Sequence, residues 1–147
     1  MTVRSDEAGM WCESDDGGLS FSAPRPWTWT DGTPIGNKNT QQHWIQDAKG
    51  LFLTYTREDA ANWHVFRNRA PIYMACFDPL RKCLVKSTER TLVPELGTRS
   101  GNFVCCDAGA NSAWLITAEW MQPKGCDSYG SDNSLWLVQT QFQPPSF

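Results

Sequence analysis

The stretch Ser14-Asp15-Asp16-Gly17-Gly18-Leu19-Ser20-Phe21 decides how this chain is read. A short Asp side chain accepts hydrogen bonds from nearby backbone N–H groups, and glycine tolerates positive φ. An aromatic residue at the end of such a segment can fold back over it. The stretch therefore suits a tight connection between two antiparallel strands, the alternative being an ordinary Gly-rich turn. Its flanks agree, because Gly9-Met10-Trp11-Cys12-Glu13 precedes it and Pro26-Trp27-Thr28-Trp29-Thr30 follows it. Both are aromatic runs of strand length.

Further out, helical periodicity is weak, and short runs of β-branched and aromatic residues recur between Gly, Pro, Asn and Asp clusters. They predict nine strands, at 9–13, 26–30, 43–47, 51–57, 71–77, 83–88, 102–107, 113–120 and 134–142, and no helix beyond one turn near 58–62. Met10-Trp11-Cys12, Ile72-Tyr73-Met74 and Leu135-Trp136-Leu137 occupy similar slots, 62 and 63 residues apart. Self-similarity at such a period points to stacked or radial β units, and propeller blades are four-stranded sheets of this kind.

The eight-residue stretch resembles the Asp box of sialidases and related propellers, S-x-D-x-G-x-T-W. Ser14, Asp16 and Gly18 are in place, with Ser20 for Thr and Phe21 for Trp. In that family the box is structural and joins the third and fourth strands of a blade. Gly50-Leu51-Phe52-Leu53-Thr54-Tyr55-Thr56-Arg57 is similar to a second blade strand. Similarity extends to Arg67-Asn68-Arg69-Ala70-Pro71, Thr98-Arg99-Ser100-Gly101-Asn102-Phe103, Ala118-Glu119-Trp120 and 128–136. The resemblance implies an all-β chain, a partial β-propeller of two to three four-stranded antiparallel blades from a six-bladed sialidase-like fold. A half blade would occupy 1–35, a full blade 36–95, and a last blade lacking one strand 96–147. The family's Arg-Ile-Pro motif and its acid/base Asp are missing, so the expectation is a sialidase-like glycoside hydrolase segment, incomplete alone, with the remainder upstream. The alternative is a non-catalytic carbohydrate-binding or protein-interaction module.

A retaining sialidase implies a Tyr nucleophile assisted by a Glu, with arginines on the substrate carboxylate. A neutral nucleophile avoids repulsion from that carboxylate, and the planar guanidinium fork pairs with it bidentately. The catalytic candidates are Tyr129 and Glu119, with Tyr55 as a second possible nucleophile. Arg67, Arg69, Arg99, Tyr55 and His43 are the substrate-binding candidates. Arg67 and Arg69, two apart before a strand, are expected to share one side of an extended segment. Glu119 lies within the apolar run 114–120, where a buried acid needs a partner. Each arginine also has a plain reading as a solvated charge, and His64 reads as a packing residue among aromatics.

The composition narrows the partners. A net charge of −3 with no basic block argues against nucleic acid. No apolar run nears the roughly 20 residues of a membrane span. The eight tryptophans favour β structure and a sugar partner, a glycan or sugar acid. Six cysteines without a C-x-x-C pair, beside two histidines, predict neither a metal site nor another cofactor. Read as free thiols, they and the lack of a signal-like start favour the cytoplasm unless the N-terminus is truncated. Open sheet edges would make the chain self-associate.

Overall fold

A computed structural model of the chain describes residues 1–47, 50–109 and 111–142. Among them are twelve strands in three antiparallel sheets, each built in chain order. The first sheet holds β1 (Thr2–Arg4), β2 (Gly9–Trp11) and β3 (Arg25–Pro26). The second runs β4 (His43–Asp47), β5 (Gly50–Tyr55) and β6 (Ile72–Asp78). Its fourth position is shared by β7 (Cys83–Leu84) and β8 (Arg90–Val93), both paired to β6. The third combines β9 (Arg99–Ser100) and β10 (Val104–Gly109), both on β11 (Ser112–Trp120), with β12 (Leu135–Gln141) beyond.

The all-β expectation holds, with particular differences. The predicted strand 83–88 breaks after Leu84 into a 3-10 turn, Lys86–Thr88. The Thr88 hydroxyl bridges the break: it accepts from the Cys76 amide at 2.9 Å and donates to the Val85 carbonyl at 2.6 Å. β1, β8 and β9 were not foreseen, and the run 26–30 shortens to a two-residue strand plus isolated bridges at Thr28 and Trp29. The final residues of the expected last unit, 143–147, lie outside the described residues.

Alternation explains the third sheet. Along β11, Ala113, Leu115, Thr117 and Glu119 point inward, while Trp114, Ala118 and Trp120 face out. Leu115 joins Ile72, Val93 and Phe103 in the core between the second and third sheets. A second core lies between the first two sheets, where Trp11, Trp27 and Trp29 pack on Leu53, Tyr55, Ala75 and Leu84. Each fully buried large side chain there contributes about 1.5–3 kcal/mol. The strands β4 and β10 contact each other across the second and third sheets. No helix is long and apolar enough to cross a membrane.

The segment Ser14–Phe21 forms the β2–β3 connection and closes on Asp16. One carboxylate oxygen accepts from the Leu19 and Ser20 amides at 3.0 and 2.9 Å and from the Ser14 hydroxyl at 2.7 Å. The other accepts from the Ser20 hydroxyl at 2.6 Å. Gly17 and Gly18 take positive φ, 75° and 91°, which is why glycines stand there. Bonds from the Ser20 hydroxyl and amide and the Ser14 hydroxyl hold the Asp16 carboxyl well below the usual carboxylate range. Its folded value thus lies under its unfolded one. Its stabilisation is complete above about pH 4 and fades as acid protonates it. Asp16→Ala is expected to raise hydrogen exchange at the Leu19 and Ser20 amides by roughly tenfold or more, read by NMR. Unchanged protection would refute the Asp-centred turn.

Antiparallel order puts the β2–β3 and β6–β7 connections at one end, joined by an ion pair between Glu13 and Lys82. The β1–β2, β5–β6 and β11–β12 loops leave from the opposite end, and there the segment 37–42 packs on Gly9. The Gly9 amide donates to the Asn37 carbonyl at 2.9 Å. A Cβ at Gly9 would stand 1.8 Å from Asn37 Nδ2, so any larger residue would displace the buried Asn37 and Gln42 side chains. That approach brings Asn39 to the side chain of Arg4.

Candidate functional site

Four arginines gather at this loop end. Arg4 closes β1, Arg67 and Arg69 stand in the β5–β6 loop, and Arg99 opens β9. Arg4 donates to Asn39 Oδ1 from Nε at 3.0 Å and from Nη2 at 2.7 Å. Arg67 Nη2 donates to the Asn39 carbonyl at 3.4 Å, so two arginines converge on one asparagine. Arg69 Nη2 donates to Asn102 Oδ1 at 3.0 Å. Arg99 is 8% exposed, and its guanidinium carbon lies 3.6 Å from the Trp120 ring centroid and 4.8 Å from that of Phe66. Cation–π contact with two rings holds its plane. Its buried Nε has no hydrogen-bond partner among the described residues.

These groups cluster without a paired acid, and Arg90, which donates to the Ser87 and Glu89 carbonyls, is likewise without an ion pair among the described residues. Among the described residues none of the four makes an ion pair, whereas Arg25 pairs with Glu13, Arg57 with Glu89 and Asp59, and Arg81 with Asp78. Asp6 is tied into the cluster only through Asn39, whose Nδ2 donates to it at 2.7 Å. Burial, and then the charges of Arg99, Arg67 and Arg4, lower the pKa of Arg69. Like charges brought together with fewer counter-charges than cations raise the local potential and attract an anion. Guanidinium groups suit a carboxylate or another planar or tetrahedral acid.

The other candidates fall differently. Arg67 and Arg69 do not share an extended segment: Arg67 sits at φ 58° within the 3-10 turn Phe66–Asn68. The turn, rather than alternation, brings both into the cluster. Glu119 is buried rather than facing solvent from the strand end, and its partners are donors. Oε2 accepts from the Asp132 and Ser134 amides at 2.8 and 3.1 Å, and Oε1 from Trp136 Nε1 at 3.2 Å. This carboxylate braces the β11–β12 loop. Tyr129, exposed in that loop, stacks on His64 with centroids 4.4 Å apart, and His64 Nε2 meets Glu95 Oε1 at 2.9 Å. Tyr55 is fully buried and donates to Glu89 Oε1 at 2.6 Å, while Arg57 clasps both oxygens of that carboxylate. Burial, and then the hydrogen bond to Glu89, raise the pKa of Tyr55 far above its ordinary value, so it offers no phenolate to solvent. His43 packs edge-on to Phe103 at 5.0 Å, and burial lowers its pKa.

Two cavities lie elsewhere. One of about 490 Å³ runs along β4 and β10, with Asp47, Asp107, Cys105 and Cys106 in its wall. The other, about 460 Å³, is lined by Trp11, Trp27, Trp44 and Phe77, and its Lys82 is already paired to Glu13. Neither presents a free cation to an acid. All six cysteines are free thiols. Among the described residues no group of three or more His, Cys, Asp or Glu side chains is placed to hold a metal ion.

Sequence reasoning missed Arg4, Asn39, Phe66 and the role of Trp120. Arg4 had no strand assigned to it, and Asn39 lay in an unassigned loop. Trp120, which closes Ala118-Glu119-Trp120, is the one sequence signal for this cluster among them. Compared with known proteins, the chain matches no family model, no curated protein and no solved structure.

Proposed function

We propose that this chain is a segment of a sialidase-like β-propeller that binds the acid group of an anionic sugar at its arginine end. The carrying observation is the set of four arginines without an ion-pair partner among the described residues. Three features support the propeller part of the reading. Strands follow one another in chain order within each sheet, successive sheets share cores, and β4 and β10 contact each other. The Asp16-centred turn between β2 and β3 adds to these. Exposed Trp63, Phe66, Trp120 and Tyr129 give the loops ring faces for a sugar.

Two of the residues expected to carry the hydrolase chemistry are engaged elsewhere. Tyr55 is sealed in the core and Glu119 is saturated by donors. These placements favour an anion-holding role for the chain, with any nucleophile–base pair completed by other parts of a propeller. The 147-residue chain is expected to bind N-acetylneuraminate with a Kd on the order of 1 mM, about 4 kcal/mol, by isothermal titration. The affinity should weaken as salt screens the charges, and N-acetylglucosamine, which lacks the acid, should not bind. A fluorogenic sialoside should not be turned over. Equal affinity for the neutral sugar would overturn the anion reading, and robust turnover would overturn the division of labour.

A further inference from the structure

We infer that the arginine end takes a ligand carrying two acid groups rather than one. This rests on the anion-binding reading above and extends it. The four cations fall into two pairs. Arg4 and Arg67 meet at Asn39, one on its side-chain oxygen and its carbonyl, the other on the carbonyl alone. Arg69 and Arg99 stand together on the other side, where the Ser100 amide donates to the Arg69 carbonyl at 3.2 Å and Asn102 holds the Arg69 side chain. Arg69 feels the charges of Arg99, Arg67 and Arg4, so the pairs adjoin in one field.

Charge balance then decides. A single carboxylate held by the Arg69–Arg99 pair leaves two further guanidinium groups, with Asp6 across the Asn39 amide and Glu58, itself paired to Lys38, on the Arg67 side. A second acid group on the same ligand answers them. Arg4 is exposed and comes from the first sheet, whereas the other three come from the second and third. The second acid would therefore bridge the first sheet to the other two at the arginine end, where the Lys38–Glu58 pair already ties the segment 37–42 to the β5–β6 loop. Linking two weak contacts in one ligand raises affinity well beyond either alone.

The test uses the full chain and four probes in titration calorimetry. N-acetylneuraminate carries one acid, α2,8-linked disialic acid carries two on neighbouring sugars, and N-acetylneuraminate 9-phosphate carries two on one sugar. N-acetylglucosamine is the neutral control. At least one di-acid should bind ten times or more tighter than the mono-acid, and the di-acid that wins sets the spacing. Arg4→Ala should bring the ratio of the two affinities to about one, and Arg4→Lys should restore part of it. Arg99→Ala should lower both affinities, with thermal melts confirming folded variants. Di-acids within twofold of the mono-acid would overturn the inference while leaving the anion site standing. No binding of any acid would overturn both.

Discussion

Replacing Trp27 by alanine should cost about 3–5 kcal/mol of folding stability, the range for emptying a large aromatic site in a core. The indole is 1% exposed and is the centre of a ring cluster. Trp11, Trp44 and Phe77 lie 5.7, 5.6 and 5.9 Å away by centroid, two of them edge-on. Edge-on pairs add to the value of buried area because the ring edge is positive and the face negative. The indole N–H donates to Gln42 Oε1, and Gln42 Nε2 reaches the Val3 carbonyl at 3.4 Å. Loss of Trp27 therefore empties a cavity and frees a buried amide that holds β1. Domains of this size have roughly 5–15 kcal/mol in all, so the variant should be largely unfolded in moderate urea where the parent is folded. A loss under about 1 kcal/mol in a urea melt would refute this core assignment.

Glu119→Gln is the second large effect, and it separates a brace from a base. Two backbone amides point at one carboxylate oxygen and an indole N–H at the other, so every partner is a donor. An amide has one acceptor oxygen and would turn its NH2 toward at least one of these donors. Hydrogen bonds to a charged group are worth about 1.5–3 kcal/mol each, and a buried unpaired donor adds its own penalty. The variant should lose about 2–4 kcal/mol. Its Asp132 and Ser134 amides should lose exchange protection before the rest of the sheet. A catalytic base would leave stability and protection intact. Preserved melting with preserved exchange would therefore return Glu119 to the chemistry.

The turn at Asp16 was legible because all its partners lie within four residues, and local hydrogen bonding follows from local sequence. The strands β5, β6 and β11 were legible because their apolar runs are long. β8 was not, because Arg90-Thr91-Leu92-Val93 follows a polar stretch, and only its pairing with Ile72, Tyr73 and Met74 makes it a strand. β1 and β9 are likewise made by their partners, Gly9–Trp11 and Glu119–Trp120. Three of the four clustered arginines were singled out from the sequence alone. Arg4 was not, since Asn39 reaches it only because Gly9 lets the segment 37–42 pack close. The lesson of Glu119 is similar: its burial could be read from the apolar run, whereas its donors come from residues 132–136, on the far side of a loop.

The guanidinium of Arg99 against Trp120 has an optical consequence. Trp27 and its neighbours are shielded from water and emit from a fixed environment, while Trp120 is half exposed beneath a positive charge. An anion settling on Arg99 changes the electric field across that indole and not across the buried ones. The chain thus carries a native fluorophore in contact with the group proposed to seat the ligand, and comparison with a Trp120→Phe variant separates its emission from that of the exposed Trp63 and Trp114.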